Sequence, residues 1–111
     1  MEQGGDKLNW KVIGTGAAQL HSMPRRSNGE QVFLPEQVIQ EVGRQMVRLR
    51  GAAGITNADA LREAAHGLAG VAGETYVTEL DGGGSSDGAA KKAIEAVQEA
   101  VRARTGAQQV A

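Results

Sequence analysis

Large apolar side chains are scarce in this sequence, and that scarcity limits the core that it can build. Of the 111 residues, 18 are alanine and 27 carry a larger apolar or aromatic side chain, with Phe, Trp and Tyr present once each. Sixteen glycines add backbone entropy that folding must overcome. The length suits a single domain over residues 1–111. With so thin a core, the chain is expected to gain stability by assembling with other subunits.

Apolar residues recur at helical spacing in three segments. The first predicts a helix over about 35–50, with Pro35 in its first turn. The second predicts a helix over about 56–73. The third predicts a helix over about 89–104, with Ser86 or Asp87 as its N-cap.

Two further segments favour strands. Residues 8–13 alternate between apolar and polar side chains, and residues 74–80 are rich in β-branched and aromatic types. Together with the three helices they predict a small α+β domain with one sheet, either two-stranded or completed at its edge by a neighbouring subunit.

Four segments are expected to be flexible because they lack large side chains or contain turn residues. They are an N-terminal arm over residues 1–7, a loop over 17–31, a glycine-rich loop over 81–88 and a frayed tail over 107–111.

The charge and the cysteine content exclude several classes of function. Twelve basic and thirteen acidic residues give a net charge of −1, whereas proteins that bind nucleic acids or anionic membranes usually show a basic excess. The absence of cysteine excludes a disulfide scaffold, a cysteine zinc site and a thiol nucleophile. The polar start and the short apolar runs predict a soluble, non-exported protein with no membrane contact. Its expected location is the cytoplasm, or a virion assembled there.

Catalytic and metal-binding residues are few. The only histidines are His21 and His66, and His66 with Glu63 would supply two metal ligands at most. The sequence therefore predicts no enzyme activity, no metal and no cofactor.

Glycine-rich segments raise the question of anion binding. Val12–Ala18 resembles the opening of a dinucleotide-binding fingerprint, but Gln19 stands where the third glycine belongs. In the loop over 81–88, Asp87 at the start of the next helix would compete with a bound phosphate. We interpret both segments as connections, and the glycines at 67, 70 and 73 as a close crossing between helices.

The segments Tyr76–Leu80, Gly84–Ser86 and Ala89–Ala93 together resemble the last third of a double-stranded-RNA-binding domain. The resemblance implies a strand, a loop and a helix whose Lys91 and Lys92 contact phosphates. The chain departs from that family because it lacks a three-strand meander before the helix.

Two sets of residues are candidates for binding a partner. One is basic and could contact carboxylates or phosphates; the other consists of the apolar seams of two predicted helices. The basic set is Arg25, Arg26, Arg44 and Arg48, and the seams are Val38, Val42, Met46 and Leu49, and Ile94, Val97 and Val101.

The sequence thus predicts a non-enzymatic structural subunit of a larger oligomeric assembly, such as a virion or phage-type particle. Its partners would be further copies of the chain or other protein subunits. The alternative is a nucleic-acid-binding accessory protein that uses its Arg and Lys surface. A third hypothesis is a small enzyme or anion-binding module built on the glycine-rich segments.

Overall fold

The described part of the chain forms four helices. The computed structural model describes residues 9–50 and 58–110, and the helices are α1 (Trp10–Leu20), α2 (Glu36–Arg50), α3 (Ala58–Asp81) and α4 (Ser86–Val110). The described residues contain no strand, only one isolated bridge between Arg25 and Gln31. The chain is therefore all-α, and the predicted α+β class is wrong. The predicted arm over 1–7 lies outside the described residues.

The predicted strand over 8–13 is wrong because its described part opens α1. The Asn9 side chain caps this helix by accepting a hydrogen bond from the Val12 N–H at 3.0 Å. Trp10, Gly14 and Ala17 are buried at helical spacing, so the apolar period is that of a helix. The same helix takes up the first four residues of the loop predicted over 17–31.

The predicted strand over 74–80 forms the last turns of α3. Leu68, Ala72 and Tyr76 are all buried, and their spacing of four continues the apolar stripe of this helix. Burial of Tyr76 on that stripe outweighs the local strand preference of its neighbours. The strand implied by the resemblance to RNA-binding domains is absent here too.

The segment predicted as a flexible loop over 81–88 contains the end of α3, a short connection and the start of α4, while its flexibility stays a prediction. Gly83 has a φ of +95°, and the N–H groups of Gly83 and Gly84 donate to the carbonyls of Leu80 and Glu79. This is a Schellman cap, which requires a left-handed residue such as glycine. Ser85, not Ser86 or Asp87, caps α4 through its Oγ, which accepts from the Gly88 N–H at 3.0 Å. At its other end α4 continues through residues 107–110, where a tail was predicted.

The helices pack as a ring in the order α1, α2, α4, α3, which returns to α1. At a pair of glycines, α1 and α2 approach each other closely. A Cβ atom on Gly14 would lie 2.8 Å from the Gly43 Cα, and one on Gly43 would lie 2.6 Å from the Thr15 Cγ2. Gly14, the first glycine of the fingerprint-like segment, is therefore a packing residue.

The core uses the apolar seams of α2 and α4 together with many alanines. The side chains of both seams are buried, apart from Ile94, which is half-buried. The buried alanines are Ala17, Ala18, Ala64, Ala65, Ala69, Ala72, Ala89, Ala90 and Ala93.

Candidate docking surface

Residues 22–34 connect α1 to α2 as an irregular hairpin. From here on, the arm means this hairpin and not the predicted N-terminal arm over 1–7. The N–H groups of Leu34 and Val32 donate to the carbonyls of Ser22 and Pro24 at 2.8 and 2.9 Å. At the tip, Gly29 has a φ of +91°, which favours glycine. The sequence predicts a loop here, and the turn residues Asn28 and Gly29 mark its tip, but the backbone pairing was missed.

An ion pair fixes the arm to the end of α3. The Arg26 Nε donates to Asp81 Oδ1 at 2.9 Å, and its Nη2 donates to the Leu80 carbonyl at 3.0 Å. The Ser27 N–H adds a bond to the other carboxylate oxygen of Asp81 at 3.2 Å. The hydrogen bond between Arg26 and Asp81 raises the pKa of Arg26 and lowers that of Asp81. Arg26 therefore stabilises the chain's own structure, and a role for it in binding a partner stays a prediction.

The arm has an inner and an outer face, because side chains of paired extended segments alternate. Leu34 on the inner face is buried and Val32 is half-buried. On the outer face Met23 lies opposite Phe33, in the register set by the hydrogen bonds, and the two are 52% and 66% exposed. Leu20, at the end of α1, is 78% exposed. We call Leu20, Met23 and Phe33 the arm patch.

A groove of about 430 Å³ separates the arm from α3, and we call it the α3 groove. Its floor includes two glycines of α3. A Cβ atom on Gly70 would meet nothing within 4 Å, and one on Gly73 would first meet the His21 carbonyl at 3.8 Å. The full lining is Leu20, His21, Met23, Pro24, Arg25, Ala69, Gly70, Gly73, Glu74, Val77 and Thr78.

The predicted close helix crossing at the α3 glycines is wrong for two of the three. A Cβ atom on Gly67 would also meet nothing within 4 Å. Gly67 lines a second groove, of about 450 Å³, which lies between α3 and α4. These glycines therefore leave open space beside α3, where alanine would stabilise the helix by about 0.5–1 kcal/mol.

Two opposite charges line the α3 groove. On the arm, Arg25 is exposed, and within the described part of the chain it donates only to the Gly29 carbonyl, at 2.7 Å. On α3, Glu74 is exposed and has neither an ion pair nor a hydrogen bond within the described part of the chain. The surface thus combines apolar side chains with a cation and an anion that no side chain in residues 9–50 and 58–110 neutralises.

The two histidines meet beside this groove. His21 Nε2 lies 3.1 Å from His66 Nδ1, which links the end of α1 to α3. Such a bond requires a donor nitrogen on one ring and an acceptor on the other. Among the described residues, no three histidine or acidic side chains are grouped so that they could hold a metal ion. The contact joins residues 45 positions apart, and no local pattern in the sequence indicated it.

The remaining arginine candidates lie on α2. Arg44 pairs with Glu41, with its Nη2 2.7 Å from the carboxylate, while Arg48 is exposed. Lys91 and Lys92 are exposed in the first turns of α4. The basic residues thus lie on three separate elements.

The apolar seams proposed as partner-binding residues lie inside the chain. Binding through them stays a prediction, and in this fold it would require the helices to separate. The arm patch, which is already exposed, was not among the predicted site residues. Its signal in the sequence was the alternation of Met23 and Phe33 about the turn at Asn28–Gly29, which can be read only once the hairpin register is known.

A buried carboxylate joins α2 to α4. Glu41 accepts hydrogen bonds from Arg44, from Gln45 Nε2 at 2.7 Å and from Gln98 Nε2 at 3.0 Å. Burial raises the pKa of Glu41, but these hydrogen bonds outweigh it and hold the pKa below its ordinary value. The Oε1 of Gln45 is buried without a partner. This network positions two helices and lines neither groove.

A scan of protein-family models, a search of curated proteins and a search of solved structures each found no match to this chain. In residues 9–50 and 58–110, no helix has both the length and the apolar character needed to cross a membrane. The function must therefore be argued from the geometry of the chain itself.

Proposed function

We propose that this chain is a non-enzymatic structural subunit that assembles with other protein subunits through the arm patch and the α3 groove. The observation that carries the proposal is the exposure of Leu20, Met23 and Phe33. A chain with only 27 large apolar side chains, whose buried core uses many alanines, leaves its single Phe 66% exposed. Fully burying one such side chain contributes roughly 1.5–3 kcal/mol, so covering the patch would stabilise an assembly.

The arrangement of the patch also favours protein binding. Aromatic and Met side chains are enriched in protein interfaces, and a polar or charged rim commonly surrounds the apolar part. Here Arg25 and Glu74 line the groove that the apolar side chains adjoin. A virion or phage-type particle stays a prediction from size and composition.

The first test is the mass of the purified chain by size exclusion with light scattering over a range of concentrations. We expect a species heavier than the 11.5 kDa monomer that becomes more populated as the concentration rises. A monomer at every accessible concentration would overturn the proposal.

The nucleic-acid alternative has less support from the geometry. Arg26 and Arg44, two of its four arginines, are paired with carboxylates of the same chain. Binding through the remaining cations would weaken steeply with salt, because released counterions drive such binding. Retention of an oligonucleotide at low salt, lost as salt rises, would favour this alternative.

A further inference from the structure

The α3 groove and the arm beside it carry complementary features on one surface. The groove provides open space at Gly70 and the exposed carboxylate of Glu74, which has no partner among the described residues. The arm provides an exposed aromatic side chain at Phe33, which does not line the groove of its own chain, and the cation Arg25. Each feature on the arm therefore has a counterpart in the groove.

We infer that the occupant of the α3 groove is the arm of a second copy of this chain. The two copies are related by a two-fold axis, so that Phe33 of each enters the groove of the other and Arg25 of each faces the other's Glu74. This inference rests on the proposed function and names the partner at that same surface.

Two-fold symmetry is what makes a second copy the best fit. In such an interface the same patch is used by both subunits, so every contact occurs twice and the patch must be complementary to itself. The patch meets that requirement because it carries both members of each pair: Phe33 with the α3 groove, and Arg25 with Glu74. A uniformly acidic or basic partner would leave Arg25 or Glu74 facing a like charge.

The proposed dimer explains why the floor of the α3 groove is open at Gly70. Gly70 lowers the stability of α3, and no atom of the described residues lies within 4 Å of where its Cβ would be. An aromatic anchor that fills a pocket at the centre of an interface commonly dominates binding energy. Phe33 of a second copy would fill the space that Gly70 leaves open.

Charge reversal tests the pairing of the two copies. The variants are Arg25→Glu, Glu74→Arg and the double replacement, compared with the wild-type chain by sedimentation equilibrium at low salt. Each single replacement places like charges opposite one another twice per dimer, and we expect the dimer Kd to rise by roughly 10-fold or more. The double replacement exchanges the charges, and we expect a Kd within roughly 3-fold of the wild type.

Matched controls separate pairing from net charge. Lys11→Glu and Glu95→Arg make the same charge changes at exposed positions on α1 and α4, outside the groove and the arm. We expect both to leave the Kd unchanged, and circular dichroism to show native helix content in every variant.

The outcomes distinguish this inference from the proposed function. A dimer that is weakened by each single replacement and restored by the double replacement would support both the inference and the proposed function. An oligomer that responds to neither single replacement would overturn the inference while the assembly itself stands. A wild-type chain that is monomeric at every concentration would overturn both.

Discussion

At the scale of single residues, a missing methyl group sets how closely two helices approach. Gly14 on α1 faces the backbone of Gly43 on α2, where a Cβ atom would come within 2.8 Å of a Cα atom. Backbone atoms cannot rotate away as a flexible side chain can, so the helices would have to separate. Gly16 is one half-turn away on the same helix and faces open space.

This contrast gives a prediction for stability. Gly14→Ala should lower the free energy of unfolding by about 1–3 kcal/mol, because overpacking displaces α1 from α2. Gly16→Ala should raise it by about 0.5–1 kcal/mol, because alanine is the better helix former and meets no neighbour. Urea unfolding followed by circular dichroism measures both. Equal effects of the two replacements would contradict the close crossing.

A second prediction concerns the Glu41 carboxylate. Because its pKa is lower in the folded chain than in the unfolded one, the ionised group stabilises the fold at neutral pH. That stabilisation is complete above the unfolded value and is lost as pH falls through the folded pKa, below about 4.5. We expect Glu41→Gln to destabilise the chain at pH 7 and to differ less from the wild type as the pH falls below that value.

The control for this prediction is Glu95→Gln, which changes an exposed carboxylate on α4. Its unfolding curve should follow that of the wild type at pH 7 and at pH 3. A stability difference for Glu41→Gln that is the same at pH 7 and pH 3 would show that the charge of Glu41 has no part in the effect.

At the scale of elements, α3 carries the grooves and also shows where the sequence misleads. Its glycines at 67 and 70 line two different grooves, so a side chain can be placed in one groove at a time.

Filling each groove separately therefore tests which of the two forms the dimer interface. Gly70→Leu places a side chain in the α3 groove, so we expect it to raise the dimer Kd by roughly 10-fold or more, as a blocked anchor pocket should. Gly67→Leu, its matched control in the second groove, should leave the Kd unchanged. Both replacements should increase helix stability, because leucine is a better helix former than glycine. If Gly67→Leu weakened the dimer more than Gly70→Leu, the second groove would be the interface.

The helices were only partly predictable from the sequence. The helix predicted over 35–50 is confirmed as α2 because its apolar period is regular and Pro35 marks its start. The strand predicted over 74–80 is wrong because Tyr76 is buried in the helical core. Strand propensity is a property of the local sequence and takes no account of that burial. The contacts between Arg26 and Asp81 and between His21 and His66 join residues 55 and 45 positions apart. No spacing rule along the chain indicates such pairs.

At the scale of the whole molecule, scarcity of large apolar side chains explains both the fold and the proposed assembly. Four helices bury alanine stripes and a few larger residues, and the outer face of the arm keeps Met23 and Phe33 exposed beside an open groove. In the proposed dimer this face becomes buried. The central claim is therefore that the arm patch is covered when copies of the chain associate.

The most direct measurement of that claim is the alkylation rate of a single introduced cysteine. Because the chain has no cysteine of its own, that rate depends only on the exposure of the introduced thiol. Met23→Cys places a thiol in the arm patch, and Val47→Cys places one on α2; the native side chains are exposed to similar extents, 52% and 48%. The rate of alkylation is measured for each variant as the chain concentration rises through the dimer Kd. We predict that the thiol at position 23 becomes several-fold slower to react while the thiol at position 47 keeps its rate. Equal rates at position 23 for monomer and assembly would contradict the account.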